Sequence, residues 1–159
     1  MKSPLFQRIL SLLAGVLVSG GLISLVEGLG HRRYPPPAAL MPDPASLADP
    51  AALEAYKQVI ADYVATAPMG VLLFPVAAWG IGALGGAWVA ARWAPLNKRR
   101  NALLIGALVM LGTVTNLAAI PHPAWMWAAG PLSVAAGTWL GARLAGALDE
   151  AAEEGADEV

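Results

Sequence analysis

The sequence predicts an all-α membrane protein with four transmembrane helices, an expectation that rests on three observations. Apolar residues make up 57% of the 159 residues and charged residues only 13%, whereas an ordinary soluble domain carries about 25% charged residues. The apolar residues fall into four long runs, roughly 9–29, 68–93, 102–120 and 124–148. Each is near the length of about 20 residues that a helix needs to cross about 30 Å of hydrocarbon. Short patterns also recur: Gly86-Ala-Trp88-Val-Ala-Ala-Arg92 is echoed by Gly137-Thr-Trp139-Leu-Gly-Ala-Arg143. A second echo sets Leu12-Leu13-x-Gly15-x-Leu17-Val18 beside Leu103-Leu104-x-Gly106-x-Leu108-Val109 and carries His31 onto His122. The chain reads as a duplicated two-helix hairpin, with 1–148 forming one transmembrane domain.

The first run follows Lys2 and Arg8 and is longer than the apolar stretch of about 7–15 residues in a signal peptide, with no small-x-small site directly after it. It is expected to stay as a membrane span. The segment 31–67 then forms the outer loop. Tyr34-Pro35-Pro36-Pro37 must be extended, because each proline fixes its own φ and restricts its predecessor. Asp49 can cap a helix with Pro50 in its first position, and Leu53, Tyr56, Val59, Ile60 and Tyr63 recur at helical spacing. An amphipathic helix over about 50–66 is expected, acting as a lid on the bundle or docking a partner.

The second run carries Ala78, Gly82, Gly86 and Ala90 at four-residue spacing, and the fourth carries Ala129, Ser133, Gly137, Gly141 and Ala145. In lipid, where no hydrophobic drive pairs helices, such small-xxx-small ribbons permit close backbone contact. The second and fourth runs are therefore expected to pack together, within one chain or between copies in a homo-oligomer. Pro75 and Pro131 each remove a helical hydrogen bond and bend their helices. Trp88 with Arg92, and Trp139 with Arg143, share a helix face near one membrane boundary. They suit cation–π pairing and interfacial anchoring, or alternatively the binding of an anionic lipid headgroup.

Net charge is −1, but its distribution is informative. Lys2, Arg8, Arg92, Lys98, Arg99, Arg100 and Arg143 flank one side of the runs and outweigh Arg32 and Arg33 on the other. The positive-inside rule then places both termini and the 97–101 loop in the cytoplasm, in a multi-pass protein of the cell's inner membrane. The acidic tail 149–159 should be a solvated cytoplasmic end that frays, since acids at a helix C-terminus oppose the macrodipole. With no cysteine, disulfides and thiol chemistry are excluded.

Within the runs, Glu27 is the single carboxylate, and His31 follows it on the same face if the helix survives Gly28 and Gly30. Under the pseudo-symmetry His31 and His122 occupy equivalent outer ends, and Glu27, Tyr34 and Asn116 complete a candidate polar cluster. Ionisable groups beside membrane helices suggest a proton- or cation-responsive gate or transport site. A metal held by His31, His122 and Glu27, or a haem ligated by the two histidines, is an alternative. So is a plain interfacial placement, with His122 capping the last helix. No Ser/His/Asp order, HExxH or phosphate loop occurs. An enzyme is not expected, nor a cofactor beyond the metal or haem alternative, and the few basic residues sit at membrane boundaries rather than in a nucleic-acid-binding patch. The two functional classes left are a small transport- or channel-like protein for an ion, proton-coupled solute or lipid, and a non-catalytic assembly subunit of a membrane complex.

The stretch Val26-Glu27-Gly-Leu-Gly-His31-Arg-Arg-Tyr34-Pro-Pro-Pro, followed by the Asp/Pro/Ala-rich loop and the glycine-rich second run, resembles small bacterial four-helix membrane proteins that share a Glu-x3-His-x2-Tyr-Pro-Pro element. The likeness covers roughly the first 90 residues. It implies the helical fold and no activity.

Overall fold

A computed structural model describes residues 3–41, 43, 45 and 48–148. Lys2 and the acidic tail 149–159 lie outside the described residues. The described chain is all helical: α1 Pro4–Arg33, α2 Pro50–Thr66, α3 Met69–Arg92, α4 Lys98–Ala119 and α5 Met126–Leu144, with one 3-10 turn at Ala38–Leu40. Three of the helices, α1, α3 and α4, are long and apolar enough to cross a membrane, which marks a membrane protein. Leucines such as Leu17, Leu111 and Leu132 stand exposed along the helices. That is the inverse of a soluble surface.

Helix ends explain where the boundaries depart from the apolar runs. α1 starts before residue 9 because the Ser3 hydroxyl accepts from the Phe6 amide at 3.3 Å and Pro4 occupies the first turn. It runs on through Gly28 and Gly30 to Arg33, where His31, Arg32 and Arg33 complement the negative end of the helix dipole. Pro35 then keeps Tyr34 out of the helical region. α4 likewise begins earlier than residue 102, at Lys98, after Asn97 adopts φ 55°, a left-handed conformation that asparagine tolerates. α5 is shorter than the run 124–148. Gly146, at φ 70°, permits the bond from Ala147 N to Ala142 O at 3.0 Å that closes a Schellman turn, and the chain folds back so that Ala147 packs with Ala87, Ala91, Ala102 and Ala142.

α3 is the central helix, packed on α1, α4 and α5, while α1 and α5 occupy separate flanks of it. The small-residue ribbons do not face each other. A Cβ at Gly86 would meet Gly15 O at 2.6 Å, and one at Gly82 would meet Ser19 O at 3.0 Å, so the α3 ribbon lies against α1. The Ser19 hydroxyl locks that seam by donating to Gly82 O at 2.9 Å. The α5 ribbon presses Gly137 and Gly141 onto a different face of α3, against the backbone of Gly80 and Leu84. α3 and α5 thus pack as expected, but through unmatched faces, because α3 carries small residues on more than one side. The two hairpins consequently do not pack equivalently.

Candidate functional site

The helices alternate in direction, so the C-terminal end of α1, the N-terminal end of α3 and the α4–α5 turn meet at one end of the bundle. There they enclose, with α2 and the 3-10 turn, a cavity of about 440 Å³. α1 contributes Glu27, Gly30 and His31, followed by Tyr34 at its cap; α2 contributes Tyr56, Ile60, Tyr63 and Val64; α3 contributes Val71, Leu72, Phe74 and Pro75; the α4–α5 turn contributes His122. Because α1 continues through its glycines, Glu27 and His31 share a face.

Two glycines shape the aromatic wall. A Cβ at Gly30 would lie 2.7 Å from the Phe74 ring, and one at Gly70 would lie 2.5 Å from the Tyr34 hydroxyl. With hydrogens in those places, Tyr34 and Phe74 meet edge to face, with centroids 6.1 Å apart and planes at 68°. Tyr56 donates to Leu40 O at 3.2 Å, tying α2 to the 3-10 turn above the cavity. Pro75 has no N–H to offer the carbonyl of Val71, which also lines the space, so an acceptor beside the wall loses its helical partner. His122 Nδ1 lies 2.8 Å from Ile120 O. Since a carbonyl only accepts, Nδ1 carries the hydrogen and a neutral ring leaves Nε2 as an acceptor.

Of the residues singled out from the sequence, Glu27, His31, Tyr34 and His122 come together, and Asn116 does not. Asn116 is exposed and absent from the cavity wall, because the last turn of α4 directs its buried face through Thr113 and Leu117 instead. Glu27, His31 and His122 share the wall, yet among the described residues no three His, Asp or Glu side chains stand close enough to hold a metal ion. On α2, Leu53 and Val59 point outward, and the inward face is Tyr56, Ile60, Tyr63 and Val64. Tyr63 and Phe74 had no sequence signal beyond ordinary aromatic packing.

At the opposite end, Arg143 lies 5.3 Å over the Trp139 ring. Arg92 and Trp88 form no such pair among the described residues; Trp88 stands 43% exposed at the α3–α5 contact, where its backbone abuts Gly141. A buried polar link that the sequence did not reveal joins α1 to α4 here. Arg8 Nε donates to Asn101 Oδ1 at 3.2 Å, and Asn101 Nδ2 donates to Ser11 Oγ at 2.9 Å. Ser11 in turn donates to Arg8 O at 2.8 Å.

No family model, curated protein or solved structure matches this chain. The Glu27-to-Pro37 resemblance therefore adds no residue roles, and function must be argued from the cavity.

Proposed function

We propose that this is a small transport-like protein of the inner membrane, with four spans, both termini in the cytoplasm, and an outer-face cavity that loads a small, partly apolar organic cation. The observation that carries the reading is the composition of the cavity wall. One carboxylate, Glu27, stands among Tyr56, Tyr63 and Phe74; Tyr34 lines the cavity too, with the Arg33 guanidinium 5.0 Å from its ring centroid, so the other three rings are the ones open to a solute. A carboxylate supplies charge, and aromatic faces attract cations by about 0.5–2 kcal/mol each, more when water is excluded. Leu72, Ile60 and Val64 would cover the apolar part of the solute. His31 and His122 stand on the same wall as Glu27.

The proposed orientation is supported by Arg8, Arg92, Lys98, Arg99, Arg100 and Arg143 gathering at the end away from the cavity. α5 is less apolar than the three long spans, but at 19 residues it reaches about 28 Å, a length that supports its crossing as a fourth span with the Schellman turn at the cytoplasmic boundary. The sequence echo between the two hairpins is then a trace of duplication in which α3 took the central place. Below the cavity the α1–α3 seam is closed by Ser19, Gly82 and Gly86. Transfer would therefore require that seam to part, or a path shared with a second copy; we favour a homo-oligomer. The assembly-subunit reading has less support, since the α3 and α5 ribbons are already packed within the chain, although Gly20, Gly21 and Gly112 face outward.

The test uses full-length protein in nanodiscs titrated with ethidium, a planar organic cation, followed by fluorescence. Saturable binding is expected, weakened at least tenfold in Glu27→Gln and severalfold in Tyr56→Ala. Proteoliposomes carrying a pH gradient should accumulate ethidium with wild-type protein and not with Glu27→Gln. Binding unchanged in Glu27→Gln would refute the cation site, and saturable binding without accumulation would refute the transport part.

A further inference from the structure

The flank formed by α4 and α5 holds a second cleft, of about 430 Å³, at the end opposite the cavity. Its walls are apolar along most of their length, with Leu103, Met110, Val134 and Leu148. Its other end is cationic. Arg99 is part of the lining, and so is Trp139, whose ring carries the Arg143 guanidinium at 5.3 Å. Both arginines are exposed, and neither forms an ion pair with a described carboxylate.

The placement of Arg99 is electrostatically unusual. α4 opens on Lys98, Arg99 and Arg100 with no acid in its first turn. Arg99 and Arg100 therefore sit on the positive end of the helix dipole, where an anion is favoured and a cation is not. An anion at that end would offset both the dipole and the mutual repulsion. The cleft has a fitting length as well. From Arg99 to Met110 along α4 is about 16 Å at about 1.5 Å per residue, close to half of the hydrocarbon core of about 30 Å. A soluble anion would need no apolar slot of that depth, and an acyl chain alone would need no arginine at its mouth.

We infer that the α4–α5 cleft binds an anionic phospholipid of the inner leaflet, its phosphate between Arg99 and Arg143 and one acyl chain along Leu103, Met110 and Val134. Guanidinium groups suit phosphate because their donors form a planar fork. Trp139, with Arg143 stacked on it, holds one side of the headgroup site at the depth where indole rings favour the interface. The site shares no residue with the outer cavity. It does not depend on the solute reading.

The experiment titrates full-length protein in zwitterionic micelles with phosphatidylglycerol whose chains are dibrominated, against dibrominated phosphatidylcholine. Bromine quenches nearby indole, and the part of the quenching that disappears in Trp139→Phe reports the cleft. Half-quenching is expected at a phosphatidylglycerol concentration at least fivefold lower than for phosphatidylcholine. Arg99→Gln with Arg143→Gln should abolish that preference. Arg92→Gln with Arg100→Gln, which removes equal charge from the same membrane face outside the cleft lining, should retain it. Should the first double variant fail to fold, Leu103→Phe fills the slot without adding an indole and should reduce the quenching of Trp139 by both lipids. Equal quenching by the two lipids, equal loss of preference in the two double variants, or competition by soluble glycerophosphoglycerol without chains would each overturn the inference.

Discussion

Replacing Gly86 by alanine should loosen the seam between α1 and α3 that closes the bundle below the outer cavity. The new Cβ would meet Gly15 O at 2.6 Å and Ile105 Cγ2 at 3.0 Å, and would overlap the Ser19 hydroxyl. Ordinary contact begins at about 3.5 Å between such atoms. The helices must therefore separate by roughly 1 Å at this crossing, since the backbone carbonyl of Gly15 cannot rotate away. Ser19 can swing aside only by giving up its 2.9 Å bond to Gly82 O. An interhelical hydrogen bond in a membrane is worth about 0.6 kcal/mol on average, and overpacking a tight contact costs about 1–3 kcal/mol. Against these stands the gain from replacing a mid-helix glycine, about 0.5–1 kcal/mol. The balance is a net destabilisation of about 1–3 kcal/mol.

Gly20 supplies the comparison, because a Cβ there meets nothing within 4 Å. Gly20→Ala should be neutral or stabilising by about 0.5–1 kcal/mol, although it lies in the same helix as Gly15 and Ser19. Reversible unfolding of the purified protein in mixed micelles, followed by far-UV circular dichroism, measures both. If Gly86→Ala and Gly20→Ala shift stability equally, the close approach of α1 to α3 is not what holds this seam, and the argument from the ribbons fails.

Three further outcomes follow from the packing, each read by the same unfolding measurement. Thr113→Val should stabilise the protein by about 1 kcal/mol, since Thr113 is 1% exposed and its hydroxyl lacks a partner among the described residues. Asn101→Leu should destabilise by about 1–3 kcal/mol because it strands Arg8 Nε and removes the donor to Ser11 Oγ, which keeps only its bond to Arg8 O. Gly70→Ala should displace the Tyr34 ring it abuts, weakening ethidium binding severalfold while leaving the melting transition within about 0.5 kcal/mol, as expected for a change confined to the periphery of the bundle.

The helices were legible in the sequence because length and hydropathy are local properties, and the 50–66 helix was legible from Asp49 and Pro50. Their ends were less so. The turn at Asn97 and the Schellman turn at Gly146 depend on single left-handed residues, and nothing in the apolar run 124–148 distinguishes Gly146 from the helical Gly137 and Gly141. The ribbons predicted that α3 and α5 would approach but not by which face, because α3 has Ala77, Ala78, Gly80, Gly82, Gly85 and Gly86 around its circumference. Glu27, His31 and His122 stood out as ionisable groups beside apolar runs. Tyr63 and Phe74 did not, since an aromatic at helical spacing carries the same pattern whether it fills a core or walls a cavity. Asn101 looked like part of a polar loop, and only the early start of α4 makes it a buried link.

The separation of polar chemistry to the two ends of the bundle has a physical cause in the middle. Close packing over glycine leaves no volume beside Gly82 and Gly86, so any buried polar group there must bond to backbone, as Ser19 does with Gly82. The helices can diverge only where the ribbons stop. Toward the α2 end Ala78 gives way to Phe74 and Pro75, and the added side-chain volume, together with α2, turns the divergence into an aromatic cavity around Glu27. Toward the opposite end α5 stops at its Schellman turn while α4 begins on three cations, and the gap between them becomes an apolar cleft with a basic mouth. The small-residue contact that closes the centre therefore sets where the cavity around Glu27 begins, while the α4–α5 cleft lies on another flank of the bundle. Loosening that contact at Gly86 should alter ethidium binding more than lipid binding, because Gly86 faces α1 and the α4–α5 cleft is walled without it.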